Sequence, residues 1–160
     1  MILEALGIII GIIILYLVAI IFLPVLSQSE QPIHAGKSET DIVPKSRNDV
    51  TFTVEETLLR AWLYLPQKSS SVPCIIMSNG FGGTKGMILE EYALKFVEAG
   101  MAVLGYDYRY FGESEGEPRQ LFSIADQLED LKAAIYYVRN RKVINPEKIA
   151  LWGTSAAGGF

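Results

Sequence analysis

Apolar positions divide the chain into a continuous apolar stretch, a polar stretch, and a long segment of short alternating patterns. From Ala5 to Ser29 no charged residue occurs, a run of 25 rich in isoleucine and leucine. At about 1.5 Å per residue a helix of that length reaches roughly 37 Å, enough to cross a hydrocarbon core of about 30 Å. The pattern predicts one transmembrane helix, an anchor within residues 1–28 embedded through residues 5–26. A cleaved signal peptide fits less well. It needs a basic n-region and an A-x-A-like site, whereas the only early charged side chain here is Glu4. Residues 29–48 are polar, with Pro32, Gly36 and Pro44 spread through them, and read as a linker.

Residues 49–160 change period repeatedly. Val50 to Val54 alternates with period two, and Leu58 to Leu65 gives a second strand closed by Pro66. The short connection predicts an antiparallel hairpin. Pro73 to Ser78 is a continuous apolar run, as a strand buried on both faces of a parallel sheet requires. Met87 to Ala99 carries apolar residues four apart and ends at Gly100, a helix with its stop. Met101 to Tyr106 is the next buried strand. Ser123 and Asp126 mark a helix start, followed by an apolar face of Ile124, Leu128, Leu131, Ile135 and Val138. Asn145 and Pro146 predict a turn, and Ile149 to Trp152 a last strand. Strands alternating with helices behind a hairpin argue for an α/β fold with helices on both faces of a mostly parallel sheet. Ligand sites in such sheets lie beyond the carboxyl ends of the strands.

The formal net charge of the 160 residues is −4, which gives no footing for nucleic-acid binding. The single cysteine, Cys74, lies in an apolar run and reads as a small buried hydrophobe. The single histidine, His34, sits in the linker with no second histidine or cysteine nearby, so no metal site is expected. No cofactor is expected either. The glycine-rich stretch from Asn79 to Gly86 lacks the G-K-[ST] ending of a P-loop and is not G-x-G-x-x-G. Lys37, Lys45 and Arg47 follow the apolar span and no Lys or Arg precedes it, which places the bulk of a single-pass membrane protein in the cytoplasm. Gly7 and Gly11 form a GxxxG through which two anchors could pair, or are incidental small residues.

The candidate chemistry concentrates at the end. Ser155 follows the last strand among small residues, the layout of a nucleophile elbow. The turn is strained, so the positions two before and two after the serine must be small; here they are Gly153 and Ala157. Ser114 matches G-x-S-x-G literally through Gly112 and Gly116, but a polar stretch with Pro118 follows it. The strand–turn–helix frame is missing there, so Ser155 is preferred. The loop from Asn79 to Gly86 could turn a backbone N–H toward the nucleophile, or serve as a tight turn.

These three blocks, Asn79 to Lys85, Asp107 to Arg119 and Leu151 to Gly159, resemble the α/β-hydrolases. Within them they resemble the branch of Xaa-Pro dipeptidyl-peptidase-like and serine-aminopeptidase-like hydrolases. The resemblance covers about Val50 to Phe160 and implies the amino-terminal half of the α/β-hydrolase sheet. It implies Ser155 as nucleophile and the N–H groups of Ala156 and Phe81 as the oxyanion hole. Asn79 and Gly80 would shape the first loop, Asp107 and Arg109 would brace the second, and Gly112 and Gly116 would form it. Asn79 stands where relatives commonly carry histidine, and Ala157 where Gly or Ser is usual. The implied activity is acyl transfer from a small-molecule ester, or an amide or peptide.

In this superfamily the triad runs Ser, acid, His along the chain. Ala156 to Phe160 offer neither acid nor base, and His34 precedes the serine. The expectation is a hydrolase domain cut just after the elbow, inactive by itself. The alternative is a natural short membrane-anchored protein that binds without catalysis.

Overall fold

The computed structural model describes residues 7, 9–17, 19, 44–67, 71–87 and 89–159. The chain divides into two units, residues 1–42 and 43–160. In the first, residues 9–17 are helical. Among the described residues no helix is long and apolar enough to cross a membrane, so the expected transmembrane helix is not found; half of residues 5–26, and residues 29–43 of the expected linker with His34, lie outside the described residues, while Arg47 and Asn48 at the linker's end already belong to the first strand.

The second unit holds a five-stranded sheet. Its elements in chain order are β1 (Arg47–Val54), β2 (Thr57–Tyr64), β3 (Val72–Ser78), α1 (Leu89–Glu98), β4 (Ala102–Tyr106), α2 (Ile124–Arg139), β5 (Ile144–Gly153) and a 3-10 turn (Ser155–Gly159). The strand order is β1-β2-β4-β3-β5. The hairpin β1–β2 is antiparallel and joins β4 antiparallel, while β4, β3 and β5 run parallel. Two residues, Glu55 and Glu56, make the hairpin turn, and Glu55 takes the positive φ (53°) that such short turns require.

β3 is apolar on both faces because it is covered on both. Cys74 and Ile76 join Leu104, Tyr106, Leu131, Ala134 and Val138 on the α2 side. Ile75 and Met77 join Val103, Leu89 and Ala93 on the α1 side. The stop after α1 is a Schellman motif: Gly100 at φ 86° donates to Val97 O at 2.9 Å, and Met101 to Phe96 O at 3.1 Å. Ser123 caps α2 by accepting from the Asp126 N–H at 3.3 Å.

Two expectations need correcting. The buried face of α2 is Gln127, Asp130, Leu131, Ala134 and Val138, while Ile124 is 53% exposed. The helix is rotated because Asp130 turns inward to meet Arg109, a pairing that hydrophobic periodicity does not register. The turn at Asn145 and Pro146 falls inside β5: Val72 pairs with Ile144 and Cys74 with Ile149, so the intervening residues form a bulge. Asn145 still makes an Asx turn, accepting from the Glu147 N–H at 3.0 Å.

Candidate active site

Ser155 stands just beyond β5, exposed, with φ 52°. A non-glycine residue in the left-handed region carries strain, as expected at a strand-to-helix turn that lifts a serine above the sheet. The Ala157 N–H closes the turn on the Thr154 carbonyl at 3.1 Å. A Cβ at Gly153 would stand 2.5 Å from the Ala157 oxygen and 2.6 Å from its carbonyl carbon, so only glycine fits. Ala157 itself is buried, so its methyl is absorbed beneath the turn.

The β3–α1 loop reaches the same place. A Cβ at Gly80 would meet Ser155 Cβ at 2.8 Å and Oγ at 3.4 Å. The Gly80 N–H donates to Thr154 Oγ1 at 3.2 Å, and the Thr154 N–H to the Ser78 carbonyl at 3.3 Å. Phe81 comes next, its ring 72% exposed and 4.6 Å from that of Phe122. Gly83 N–H bonds the Gly80 carbonyl at 3.1 Å, making a turn with Gly82 at φ 68°, the sign a type II turn needs at its third residue. Among the described residues no protein acceptor takes the N–H of Phe81 or of Ala156. The structure thus brings Gly80 against Ser155 on the turn that runs from Gly153 to Ala157, with Phe81 next to Gly80 in the chain.

Asn79 is buried and braces its own loop. With its amide oriented to satisfy both ends, its nitrogen donates to the Thr84 carbonyl at 3.1 Å and its oxygen accepts from the Lys85 N–H at 3.2 Å. Asp107, at the end of β4, is also buried. It accepts from the Lys85 N–H at 2.6 Å, from Lys85 Nζ at 2.7 Å and from the Glu113 N–H at 2.9 Å. Gly112, at φ 53°, lies over that carboxylate so closely that a Cβ would reach it. Lys85 Nζ also pairs with Glu113 at 2.5 Å, and its hydrogen bond and charge hold the Glu113 carboxyl below its ordinary value. Trp62 flanks this cluster, with Lys85 Nζ 5.0 Å and the Arg47 guanidinium 4.2 Å from its ring centre.

Arg109 ties the β4–α2 loop to α2. Its backbone N–H and Nε donate to the two oxygens of Asp130 at 2.8 and 2.6 Å, and a terminal nitrogen reaches Glu129 at 2.9 Å. Burial pushes the Asp130 carboxyl up, opposed by the bonds from Arg109. Ser114 is committed elsewhere. Its hydroxyl is buried, accepts from the Arg60 N–H at 2.9 Å and donates to the Asp107 carbonyl at 2.7 Å. The literal G-x-S-x-G serine therefore latches the loop to β2.

Lys85, Thr154 and Asp130 were not singled out from sequence. A lysine among four loop glycines was the available signal for the first; nothing in a helical pattern marks Asp130. Among the described residues there is no histidine, and no group of three or more metal-ligating side chains. A cavity of about 760 Å³ lies at the opposite end of the sheet, lined by Leu65, Leu94, Val97 and Gly100, away from Ser155.

Residues 55–160 match the X-Pro dipeptidyl-peptidase (S15) family. The chain belongs to that family. Among its relatives, the quorum-quenching protein AidA of Acinetobacter baumannii is 48% identical over 124 residues, which is 78% of this chain and 40% of that protein. Thiohydrolase aneE of Aspergillus aculeatus is 38% identical over 115 residues, 71% of this chain and 36% of that protein. In three dimensions the family member resembles the α/β-hydrolase GrgF from Penicillium, with TM-score 0.67 and 38% identity across 70% of this chain and 38% of that one. The fold is therefore that of the α/β-hydrolases, and the chain spans about two fifths of the length of these relatives.

Proposed function

We propose that this chain carries the nucleophile and oxyanion hole of a serine hydrolase. Ser155 Oγ attacks the acyl carbon of an ester or thioester, and the N–H groups of Phe81 and Ala156 receive the oxygen that becomes negative. The alcohol or thiol then leaves, and water releases the acid. The observation that carries this reading is the exposed Ser155 at φ 52° pressed against Gly80, with the N–H groups of the following residues, Ala156 and Phe81, taken by no protein acceptor among the described residues. Each such donor is worth about 10²–10³ in kcat where it has been removed from other hydrolases. Thioesters join the substrate class because one relative is called a thiohydrolase and others polyketide transferases. A free serine hydroxyl needs a base, and no histidine lies among the described residues. The isolated 160-residue chain is accordingly expected to resist fluorophosphonate.

The test uses the product of the complete reading frame with p-nitrophenyl esters and acyl thioesters. Ser155→Ala should abolish turnover and fluorophosphonate labelling. Turnover unchanged in Ser155→Ala would discard the proposal. We also propose that residues 5–26 anchor the protein in a membrane, supported by the exposed apolar side chains of Ile9, Ile12, Leu15 and Leu17 on the helical stretch. Removing residues 1–28 should then release the protein from carbonate-washed membranes; release of the untruncated protein under the same wash would count against it.

A further inference from the structure

We infer that Lys85 is a positioning residue for the reaction: its ion pair with Asp107 sets where the Phe81 N–H points. The inference rests on the reading of Ser155 as nucleophile. The loop between β3 and α1 has two attachments. At one end Gly80 is held by Thr154 and packs on Ser155. At the other, Lys85 fastens to Asp107 through both its backbone N–H and its ammonium group, at 2.6 and 2.7 Å. Phe81 lies between them, in the turn closed by the Gly83 N–H on the Gly80 carbonyl. With its amide in the orientation that satisfies both ends, Asn79 crosses this span to Thr84 and Lys85, which would pass a shift of Lys85 to the residue preceding Gly80.

The ammonium group is buried. The Lys85 side chain is 4% exposed and that of Asp107 is 1% exposed. Buried ion pairs contribute little net stability, since desolvation offsets attraction, and in some proteins they serve to fix a geometry. What this pair fixes is the relation between two loops that meet at the carboxyl ends of β3 and β4. Gly112 and the Glu113 N–H close over the same carboxylate, so Asp107 has no freedom to follow a displaced Lys85. A loop released at Lys85 retains its Gly80 attachment but loses the constraint on the turn that carries Phe81. The displaced group is then the Phe81 N–H, so stabilisation of the oxyanion drops while substrate binding is little changed.

The experiment compares Lys85→Met, Lys85→Gln and Lys85→Arg in the product of the complete reading frame, at a temperature where circular dichroism shows each folded. Lys85→Gln removes the charge while keeping a donor toward Asp107, and stands in if Lys85→Met does not fold. Expected for Met and Gln is a fall in kcat of about 10²-fold with KM within threefold, the signature of an interaction made only in the transition state. The affinity for an alkyl boronic acid, whose adduct on serine mimics the tetrahedral intermediate, should fall in parallel. Lys85→Arg should recover at least a tenth of the wild-type kcat. A kcat within threefold of wild type in folded Lys85→Met or Lys85→Gln overturns the inference, as does a loss shared equally by KM. If Ser155→Ala leaves turnover intact, the reading of the nucleophile fails instead, and the two failures are separable.

Discussion

Gly153→Ala tests the elbow most directly. The added Cβ would lie 2.5 Å from the Ala157 oxygen, 2.6 Å from the Ala157 carbonyl carbon and 2.9 Å from the Gly158 nitrogen, all backbone atoms. Real Cβ atoms essentially never come within 3.0 Å of such neighbours, so no side-chain rotation can relieve the clash. The strand end or the turn must move by half an ångström or more. Forced overpacking of this kind costs about 1–3 kcal/mol, and a purely backbone clash belongs in the upper half of that range. For a unit of this size, about 2–3 kcal/mol corresponds to roughly 8–12 °C in Tm. Gly159→Ala is the matched control, because a Cβ there meets nothing within 4 Å and should leave Tm unchanged. Thermal unfolding of the 160-residue chain by circular dichroism, with ester turnover measured on the same variants of the product of the complete reading frame, reads both outcomes. Activity in Gly153→Ala should fall by more than its folded fraction, since Ser155 sits on the displaced turn. A Tm for Gly153→Ala within about 2 °C of the control would refute the cramped-turn argument, since that corresponds to less than about 1 kcal/mol.

Other outcomes follow from groups nearby. Ser114→Ala removes a buried hydroxyl bonded to the Arg60 N–H and the Asp107 carbonyl, and should lower stability by about 1–3 kcal/mol in urea titration, with fluorophosphonate labelling retained in the folded product of the complete reading frame. Arg109→Met leaves Asp130 buried without its partner and should lower stability by about 3–5 kcal/mol, the largest loss of this group by the same titration. Burial pushes the Cys74 thiol up to about 12, so at pH 8 it should resist iodoacetamide when folded and react in denaturant. Because the folded value exceeds the unfolded value of about 8.5, the stability linked to this thiol is full below that pH and is lost as pH rises toward 12.

Much of the architecture was legible in the sequence because burial on two faces leaves a plain mark. β3 reads as an uninterrupted apolar run, and the caps at Ser123 and Gly100 are local chemistry that tertiary contacts did not override. The cramped turn at Gly153 was legible for a similar reason: it permits few residue types, whatever surrounds it. What could not be read was the pairing of charges across loops. Asp130 looks like a surface residue in a helical pattern until Arg109 is placed opposite it. Lys85 looks solvated until Asp107 and Trp62 enclose it. The bulge in β5 escaped because an Asx turn at Asn145 has the same sequence whether it ends a strand or interrupts one.

The positions of the two tryptophans have a practical consequence. Trp62 lies under the Lys85 ammonium, and Trp152 sits two residues before the elbow threonine, packed near Tyr92 and Phe96. Each indole therefore watches a different half of the candidate site, and the sequence contains no third one to blur the signal. Intrinsic emission from Trp62→Phe and Trp152→Phe proteins would separate motion of the glycine loop from motion of the serine turn as an inhibitor arrives, with no dye attached.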